Sequence, residues 1–538
     1  MPTNSAKPSV LGHVLRLRAA RFPDAPMLCE YRADARETDA TWFSAGDVDS
    51  LARRVGHRLR RVGAEGDRVL ICLPLGHAFA AAFFGCLYAG RVAVPVPVPG
   101  GFSHENRRIA AVAKDSGASA VLTAARFESG LDDWARGQGL TLPVLSVDTI
   151  DGQKLGDDEL ADGPAGRLAL LQYTSGSTGD PKGVMLSHYN LLANVDAIAH
   201  ALDIGPGVRV GGWLPAHHDM GLIGQLLVPI VLGGTTVCME PMTFLRRPHL
   251  WLRMIDDLDV EVSAAPSFAY GLCARRVTDA QLSGLDLSRW RMALNGSEPV
   301  SASIMAGFSA RFAAAGFRAE SLAPVYGLAE SALLVSGSVR RIPVTRTPYG
   351  HPSPGRGDAR PVVSCGRPSD TDVRIVDPDL RVVLTDGQIG EIWVRSDSVA
   401  LGYWKAPRAT ESTFAGTASD GEHGFLRTGD LGFLREGELH VTGRIKEVVA
   451  IRGRKLHPHD LEEEIRRAHS PLSPGAGAAF SVPGGEDGEQ LVLVHETVAG
   501  LPARSPPAPR PPARSPRSAS THPDARARTH PRLPRSSA

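Results

Sequence analysis

From residue 51 onward the chain alternates helix-like and strand-like segments, a pattern that restricts the fold more than any other feature. Leu51, Val55, Leu59 and Val62 recur at helical spacing, with Arg53, Arg54, Arg58, Arg60 and Arg61 on the other faces. Arg68-Val-Leu-Ile-Cys-Leu73 reads as a short apolar strand, His77 to Tyr88 as a helix, and Arg91-Val-Ala-Val-Pro95 as a strand. Residues 105–117 are predicted helical, and Ala118-Ser-Ala-Val-Leu-Thr123 is a further strand. Such alternation implies an α/β fold with parallel sheets covered on both faces. It resumes around 168–240 and again around 258–335. Near 360 the texture changes. Thr371-Asp-Val-Arg-Ile-Val376 and Glu391-Ile-Trp-Val-Arg395 alternate polar with apolar, with a turn signal at Thr385-Asp-Gly-Gln388 between them, which predicts a small antiparallel β unit. Residues 339–361 form a Pro/Gly/Arg-rich insert, expected to be an ordered loop or a short hairpin.

The chain of 538 residues is long enough for two or three domains. Its formal net charge of +1 conceals an asymmetry: residues 501–538 carry eight arginines and one acidic residue, and the rest carries 51 basic against 57 acidic residues. A mildly acidic body argues against a nucleic-acid-binding surface. The tail holds ten prolines and almost no large apolar residues, a composition expected to stay disordered. Gln490-Leu-Val-Leu-Val-His495, just before it, reads as a core strand. Six cysteines (Cys29, Cys72, Cys86, Cys238, Cys273, Cys365) show no C-x-x-C spacing and are expected to be reduced core thiols. The longest apolar run, Ala78 to Gly90, is short of the ~20 residues needed to span a bilayer. The N-terminus has no signal-peptide pattern, so stable membrane insertion is not expected and the cytoplasm is the expected location.

The chemistry-bearing stretch is Leu171-Gln-Tyr-Thr-Ser-Gly-Ser-Thr-Gly-Asp-Pro-Lys-Gly183. Between two apolar segments it gathers hydroxyls from Thr174, Ser175, Ser177 and Thr178, glycines at 176, 179 and 183, and Lys182. A loop of this kind wraps a polyanion: glycines let the backbone approach, amides and hydroxyls donate to phosphate oxygens, and the lysine supplies a point charge. The Walker pattern does not fit, so the nucleotide handling is of another kind.

Four further segments stand out. Trp213-Leu-Pro-Ala-His-His-Asp-Met-Gly-Leu222 carries adjacent histidines that project in different directions, which argues against a shared metal site. A pocket-lining histidine and a structural one remain equally open there. Ala293-Leu-Asn-Gly-Ser-Glu-Pro299 is a glycine-containing loop after a strand. Tyr326-Gly-Leu-Ala-Glu-Ser331 sets an aromatic face and a carboxylate four residues apart, suited to base stacking and Mg²⁺ ligation. Arg427-Thr-Gly-Asp-Leu431 precedes Thr442-Gly-Arg-Ile-Lys-Glu-Val448, and its aspartate suits two ribose hydroxyls. Singly, each also fits a turn or a helix cap.

Together and in order, over about residues 10–498, they resemble the adenylate-forming superfamily of acyl-CoA synthetases, luciferases and adenylation domains. Within it the chain is most similar to the fatty acyl-AMP ligases. That likeness rests on the Trp213–Leu222 and Tyr326–Ser331 segments, Val335-Ser-Gly337, Val363-Ser-Cys-Gly-Arg367, Arg444-Ile-Lys-Glu-Val-Val-Ala-Ile-Arg-Gly453 and the insert at 339–361. The resemblance implies two stacked α/β subdomains and a small β subdomain (about 360–443) within a large domain at 1–443. A hinge and a partial α+β domain would follow at 444–500, then the tail at 501–538. It implies ATP and Mg²⁺ as cofactors, a fatty acid as substrate, and a carrier protein or a carrier domain of a polyketide or nonribosomal peptide synthase as partner. Thr174, Ser175, Gly176, Ser177, Thr178, Gly179 and Lys182 match its phosphate loop, and His218 the histidine at the acyl-pocket mouth. Gly296, Ser297 and Glu298 match the strand edge along adenine, and Tyr326 with Gly327 the stacking ring. Glu330 matches the Mg²⁺-associated carboxylate, Asp430 the ribose aspartate, and Arg444 a ribose or phosphate contact. Lys446 or Glu447 falls at the hinge.

The chain departs from the family where a late lysine of the small domain is expected, because no lysine follows position 498. On this reading adenylation is weakened, and a partial small domain exposes apolar surface around Leu491-Val-Leu-Val494. The alternatives are an acyl-CoA synthetase, or a chain that binds nucleotide or acyl-adenylate without turnover.

Overall fold

The computed structural model describes residues 10–33, 38–100, 103–161, 163–174, 181–337, 346–349, 360–447, 449–451, 454–456, 461–462, 477–484 and 488–496. The tail at 501–538 and much of 444–500 lie outside these residues.

Two strands open the chain, β1 (Pro26–Ala33) and β2 (Thr38–Ser44). Then come β3 (Arg68–Ile71), β4 (Val92–Pro95), β5 (Ala120–Thr123), β6 (Val144–Ser146), β7 (Leu168–Thr174) and β8 (Lys182–Ser187). Further on lie β9 (Arg209–Gly212), β10 (Thr235–Cys238), β11 (Val262–Ala265), β12 (Met292–Asn295) and β13 (Leu322–Pro324). They form two sheets, ordered β6-β5-β3-β4-β7-β8 and β13-β12-β11-β9-β10-β1-β2. Each is parallel except for one antiparallel edge, β8 on β7 in the first and β2 on β1 in the second. The alternation read from the sequence becomes crossover connections between parallel strands.

The helix His77–Tyr88 is apolar on every side, and ten of its residues, from Phe79 to Tyr88, are buried. A helix without a polar face has to be covered all round. Its phenylalanines join one core with Met27 and Leu28 of the second sheet and Val69 and Ile71 of the first, which stacks the sheets. A second core under the second sheet is aromatic, centred on Trp251, Tyr270, Trp290 and Phe308, with Trp251 and Trp290 meeting edge-on at 5.3 Å. Helix starts follow local chemistry. Ser44 accepts from the Asp47 amide while Asp47 accepts from the Ser44 amide, and Ser187 and Asn190 repeat the arrangement.

Past β13 come two short strands, β14 (Tyr326–Gly327) and β15 (Leu334–Ser336), and then the ends of the insert pair as β16 (Arg346–Tyr349) and β17 (Arg360–Val363). Of the two expectations for the insert, its described ends fit the hairpin. The small β unit follows: β18 (Asp372–Val376), β19 (Gly390–Arg395), β20 (Gly416–Thr417), β21 (His423–Arg435) and β22 (Glu438–Arg444), all antiparallel. The expected turn forms, with the Gln388 amide donating to the Thr385 carbonyl at 3.1 Å. All six cysteines are free and buried.

One expectation is corrected. The segment at 490–495 is a strand, part of Gly488–His495 paired with Gly477–Gly484, but it is not core: Leu493 is 47% and Val494 57% exposed. Among the described residues nothing covers that face of the hairpin.

Candidate active site

In parallel α/β sheets the carboxyl ends of the strands face the ligand crevice. Thr174 ends β7, Asn295 ends β12 and leads to Gly296, Pro324 ends β13 two residues before Tyr326, and Gly212 ends β9 ahead of the histidine segment.

Thr174 and Lys182 face each other in register and close the β7–β8 hairpin that carries the Ser/Gly/Thr loop. Ser175, Gly176, Ser177, Thr178 and Gly179 lie outside the described residues. Beside Lys182, glycine is required at 183, since a Cβ there would stand 2.9 Å from the Tyr173 ring. The Lys182 ammonium lies 4.9 Å from the centroid of the Tyr403 ring, and the Tyr403 hydroxyl donates to Glu330 Oε1 at 2.8 Å. Burial, reinforced by the Glu330 charge, pushes this phenol far above its ordinary pKa, so it stays a donor.

The nucleoside-side candidates meet across two layers. Tyr326 donates to Asp430 Oδ2 at 2.7 Å, and Arg444 Nε donates to Asp430 Oδ1 at 3.0 Å. Asp430 and Arg444 are register partners on β21 and β22. Burial raises the Asp430 pKa, and Arg444 and Tyr326 act against that rise. Gly327 is obligatory, because a Cβ there would lie 1.7 Å from the Leu333 carbonyl oxygen. Ser297 is held at φ +68, a left-handed conformation that costs a non-glycine residue about 1–3 kcal/mol and tends to cluster at functional sites. Glu298 turns toward the helix Ser267–Arg276, where its Oε1 accepts from the Phe268 amide at 2.9 Å.

A cavity joins Ser297, Tyr326 and Gly327 of these groups to apolar walls. Asp219, Met220, Gly296, Ser297, Tyr326 and Gly327 are among the residues that line it. Leu202, Val210, Val228, Val262, Leu294 and Leu334 are among its apolar lining. One wall is a π-helix, Met220–Leu227, capped by Asp219 through a 2.7 Å bond from the Met220 amide. Wide turns of this type occur often at functional sites. Gly221 lets this helix start tightly against its own approach, since a Cβ there would stand 2.1 Å from the Pro215 carbonyl oxygen.

His218 is exposed and does not line the cavity; its Nδ1 lies 3.4 Å from Asp219 Oδ1, which raises its pKa. His217 is half-buried, and burial, aided by His218, lowers its pKa to about 4. The two rings are 6.4 Å apart and inclined at 48°, so they diverge as the sequence suggested. Sequence reasoning missed two residues of the site. Asp219, adjacent to the chosen histidine, is the one that lines the cavity. Tyr403 touches both Lys182 and Glu330, and its Leu401-Gly-Tyr-Trp404 setting carries no spacing signal that separates it from a core aromatic.

The AMP-binding enzyme family matches residues 15–404. The chain belongs to that family. Among its AMP-binding relatives is the medium-chain-fatty-acid–[acyl-carrier-protein] ligase JamA of Moorena producens, 38% identical over 86% of this chain and 81% of the relative. The long-chain-fatty-acid–AMP ligase FadD28 of Mycobacterium tuberculosis is 38% identical over 82% of this chain and 79% of its own. A fatty acyl-adenylate ligase of L. pneumophila, solved with acyl adenylate and pyrophosphate, superposes with a TM-score of 0.76 at 35% identity, covering 91% of this chain and 87% of that one. No helix among the described residues is long and apolar enough to cross a membrane.

Proposed function

We propose that this AMP-binding enzyme is a fatty acyl-AMP ligase that activates a fatty acid with ATP and passes the acyl group to the thiol of a carrier protein. A carboxylate oxygen of the fatty acid attacks the α-phosphorus, the bond from that phosphorus to the bridging oxygen of the β-phosphate breaks, and pyrophosphate leaves. The observation that carries the reading is a cavity lined both by apolar side chains such as Leu202, Val228 and Leu294 and by Gly296, Ser297, Tyr326 and Gly327, which suits one ligand with an acyl part and an adenylate part. The names of JamA, FadD28 and the L. pneumophila ligase support the same assignment.

On this reading Tyr326, Gly296, Ser297, Glu298 and Gly327 border the adenine. Asp430 and Arg444 address the ribose, and Thr174 to Gly179 hold the β- and γ-phosphates with Lys182. His218 lies beside Asp219 of the cavity lining, and with its pKa raised by that carboxylate it is the donor that orients the incoming fatty carboxylate. The carboxylate is a weak nucleophile approaching another anion, so fixed donors and positive charge at the phosphates lower the barrier. Mg²⁺ fits at Glu330: Oε1 is taken by Tyr403, and among the described residues none bonds Oε2. Among the described residues there is no cluster of three or more His, Cys, Asp or Glu side chains, so a cation held by Glu330 would need further oxygen ligands such as phosphate and water. When bound, it neutralises phosphate charge and makes pyrophosphate a better leaving group. Six buried free thiols suit a reducing cytoplasm.

The test is fatty-acid-dependent exchange of labelled pyrophosphate into ATP, followed by product analysis with either carrier protein or CoA as the thiol. Exchange that disappears in Lys182→Ala and Glu330→Ala, with acyl transfer to the carrier protein, is the expected result. Efficient acyl-CoA formation without acyl carrier product would overturn the carrier assignment. ATP binding without any exchange would overturn adenylation.

A further inference from the structure

Lys182 and Glu330 carry opposite charges and both contact Tyr403, yet among the described residues no carboxylate pairs with Lys182. Tyr403 stands between them. Its ring face meets the ammonium at 4.9 Å and its hydroxyl occupies Glu330 Oε1 at 2.8 Å. Resting on the adenylating reading above, we propose that Tyr403 is a positioning residue that keeps Lys182 and Glu330 from neutralising each other, so that the lysine stays available to phosphate and the carboxylate to a divalent cation.

The geometry around Tyr403 is that of a fixed spacer. It is buried, 7% exposed, and its ring meets Phe414 edge-on at 5.2 Å. Its amide donates to Thr410 Oγ1 at 2.9 Å. Its segment runs along β8: Leu401 donates to the Met185 carbonyl, Met185 to that of Gly402, and Trp404 to that of Gly183, each at 2.8–2.9 Å. One residue earlier, the Ala400 amide donates to the Glu330 carbonyl at 2.9 Å. The same five residues thus hold the backbone of the phosphate hairpin and that of the cation-side carboxylate at a set separation. The two contacts also differ in kind. An aromatic face attracts an ammonium more weakly than a carboxylate does, so the lysine is oriented without being consumed. The hydroxyl takes one carboxylate oxygen and leaves the other.

The experiment measures ATP affinity by calorimetry, in EDTA and across a Mg²⁺ titration, for the unmodified chain, Tyr403→Phe, Tyr403→Leu and Tyr403→Leu/Glu330→Gln. Thermal melts run alongside to verify folding. Tyr403→Phe keeps the ring, so ATP affinity in EDTA stays unchanged while the Mg²⁺ half-saturation point rises. Tyr403→Leu lets the lysine and the carboxylate pair, and ATP affinity in EDTA falls by about tenfold, the scale of one lost charged contact. Removing the carboxylate charge in the double variant restores that affinity. A merely structural tyrosine predicts no such rescue. Unchanged affinity in Tyr403→Leu, or a loss the double variant does not recover, overturns the proposal; so does a Tyr403→Phe protein that fails in EDTA. Absence of ATP binding by the unmodified chain overturns the adenylating reading itself, and this proposal with it.

Discussion

Tyr326 and Asp430, 104 residues apart, share a 2.7 Å hydrogen bond that joins the end of the parallel sheet to the small β unit. The bond has a direction and a purpose. The phenol is buried and held far above its ordinary pKa, by desolvation first and then by the Asp430 charge, so it can only donate. Asp430 is buried as well, and its ionised form depends on the donors that reach it: Tyr326 on one oxygen and Arg444 on the other. An aromatic ring that lines the cavity is in this way also the anchor of the carboxylate on the neighbouring layer.

Tyr326→Phe should therefore act on Asp430 more than on the ring's own packing. A hydrogen bond to a charged group contributes about 1.5–3 kcal/mol, and its loss raises the Asp430 pKa further and loosens the carboxylate. The expected outcome is a KM for ATP raised by about tenfold or more, with kcat for pyrophosphate exchange changed less and the KM for fatty acid unchanged. Steady-state exchange kinetics at fixed fatty acid decide it; an unaltered KM for ATP refutes the coupling.

On the proposed reading Gly224, on the π-helix, should set how much acyl chain the cavity accepts. A Cβ built there meets only Leu333 Cδ2, at 3.2 Å, and it lies on the cavity lining. Gly224→Leu would place about four carbon atoms in space open to the acyl chain. At about 0.8 kcal/mol per buried methylene this displaces ~3 kcal/mol of chain burial, or roughly 100-fold in kcat/KM. The loss should fall on long fatty acids and spare short ones, with the KM for ATP unchanged. A chain-length series from hexanoate to palmitate provides the measurement, and a uniform loss at every length would refute the placement.

Much of the fold was legible because it depends on local periodicity. The helix at His77–Tyr88 coincides with the segment read from its composition, and β3, β4 and β5 fall inside the predicted apolar runs. The limits are physical. Leu491-Val-Leu-Val494 has a core-like pattern, but a pattern states only a preference for burial and cannot supply the layer that would cover Leu493 and Val494. At His217-His-Asp219 the composition pointed to the histidines, while the turn into the π-helix directs the next residue, Asp219, to the cavity. Tyr403 was out of reach altogether. It meets Glu330, 73 residues earlier, and Lys182, earlier still, and no local spacing encodes a contact that tertiary packing creates.

Gly327→Ala tests the close backbone approach at the cavity lining. The added methyl would stand 1.7 Å from the Leu333 carbonyl oxygen, a backbone atom that cannot turn aside as a flexible side chain would. The β14–β15 pairing has to open, which moves Tyr326 away from Asp430. Overpacking of this kind costs about 1–3 kcal/mol or more. A lower denaturant midpoint and loss of ATP binding should appear together, and a variant with unchanged ATP affinity would refute the link between the glycine and the Tyr326 position.

Acid sensitivity should trace to His188, which begins the helix His188–Ala201 and accepts a hydrogen bond at Nδ1 from the Leu11 amide at 3.3 Å. Burial, with the Arg167 and His13 charges adding to it, depresses its pKa to about 4 from an ordinary value near 6.5. Between those values the unfolded chain binds the proton and the folded chain does not. The contribution is therefore fully present above pH ~6.5 and is lost as pH falls toward about 4, amounting to on the order of 3 kcal/mol. Protonation would also place a hydrogen where the Leu11 amide donates. His188→Asn keeps an acceptor but cannot titrate, so urea midpoints at pH 7.5 and pH 5 should differ more for the unmodified protein than for the variant. Equal pH dependence in the two proteins would assign the acid transition to other groups.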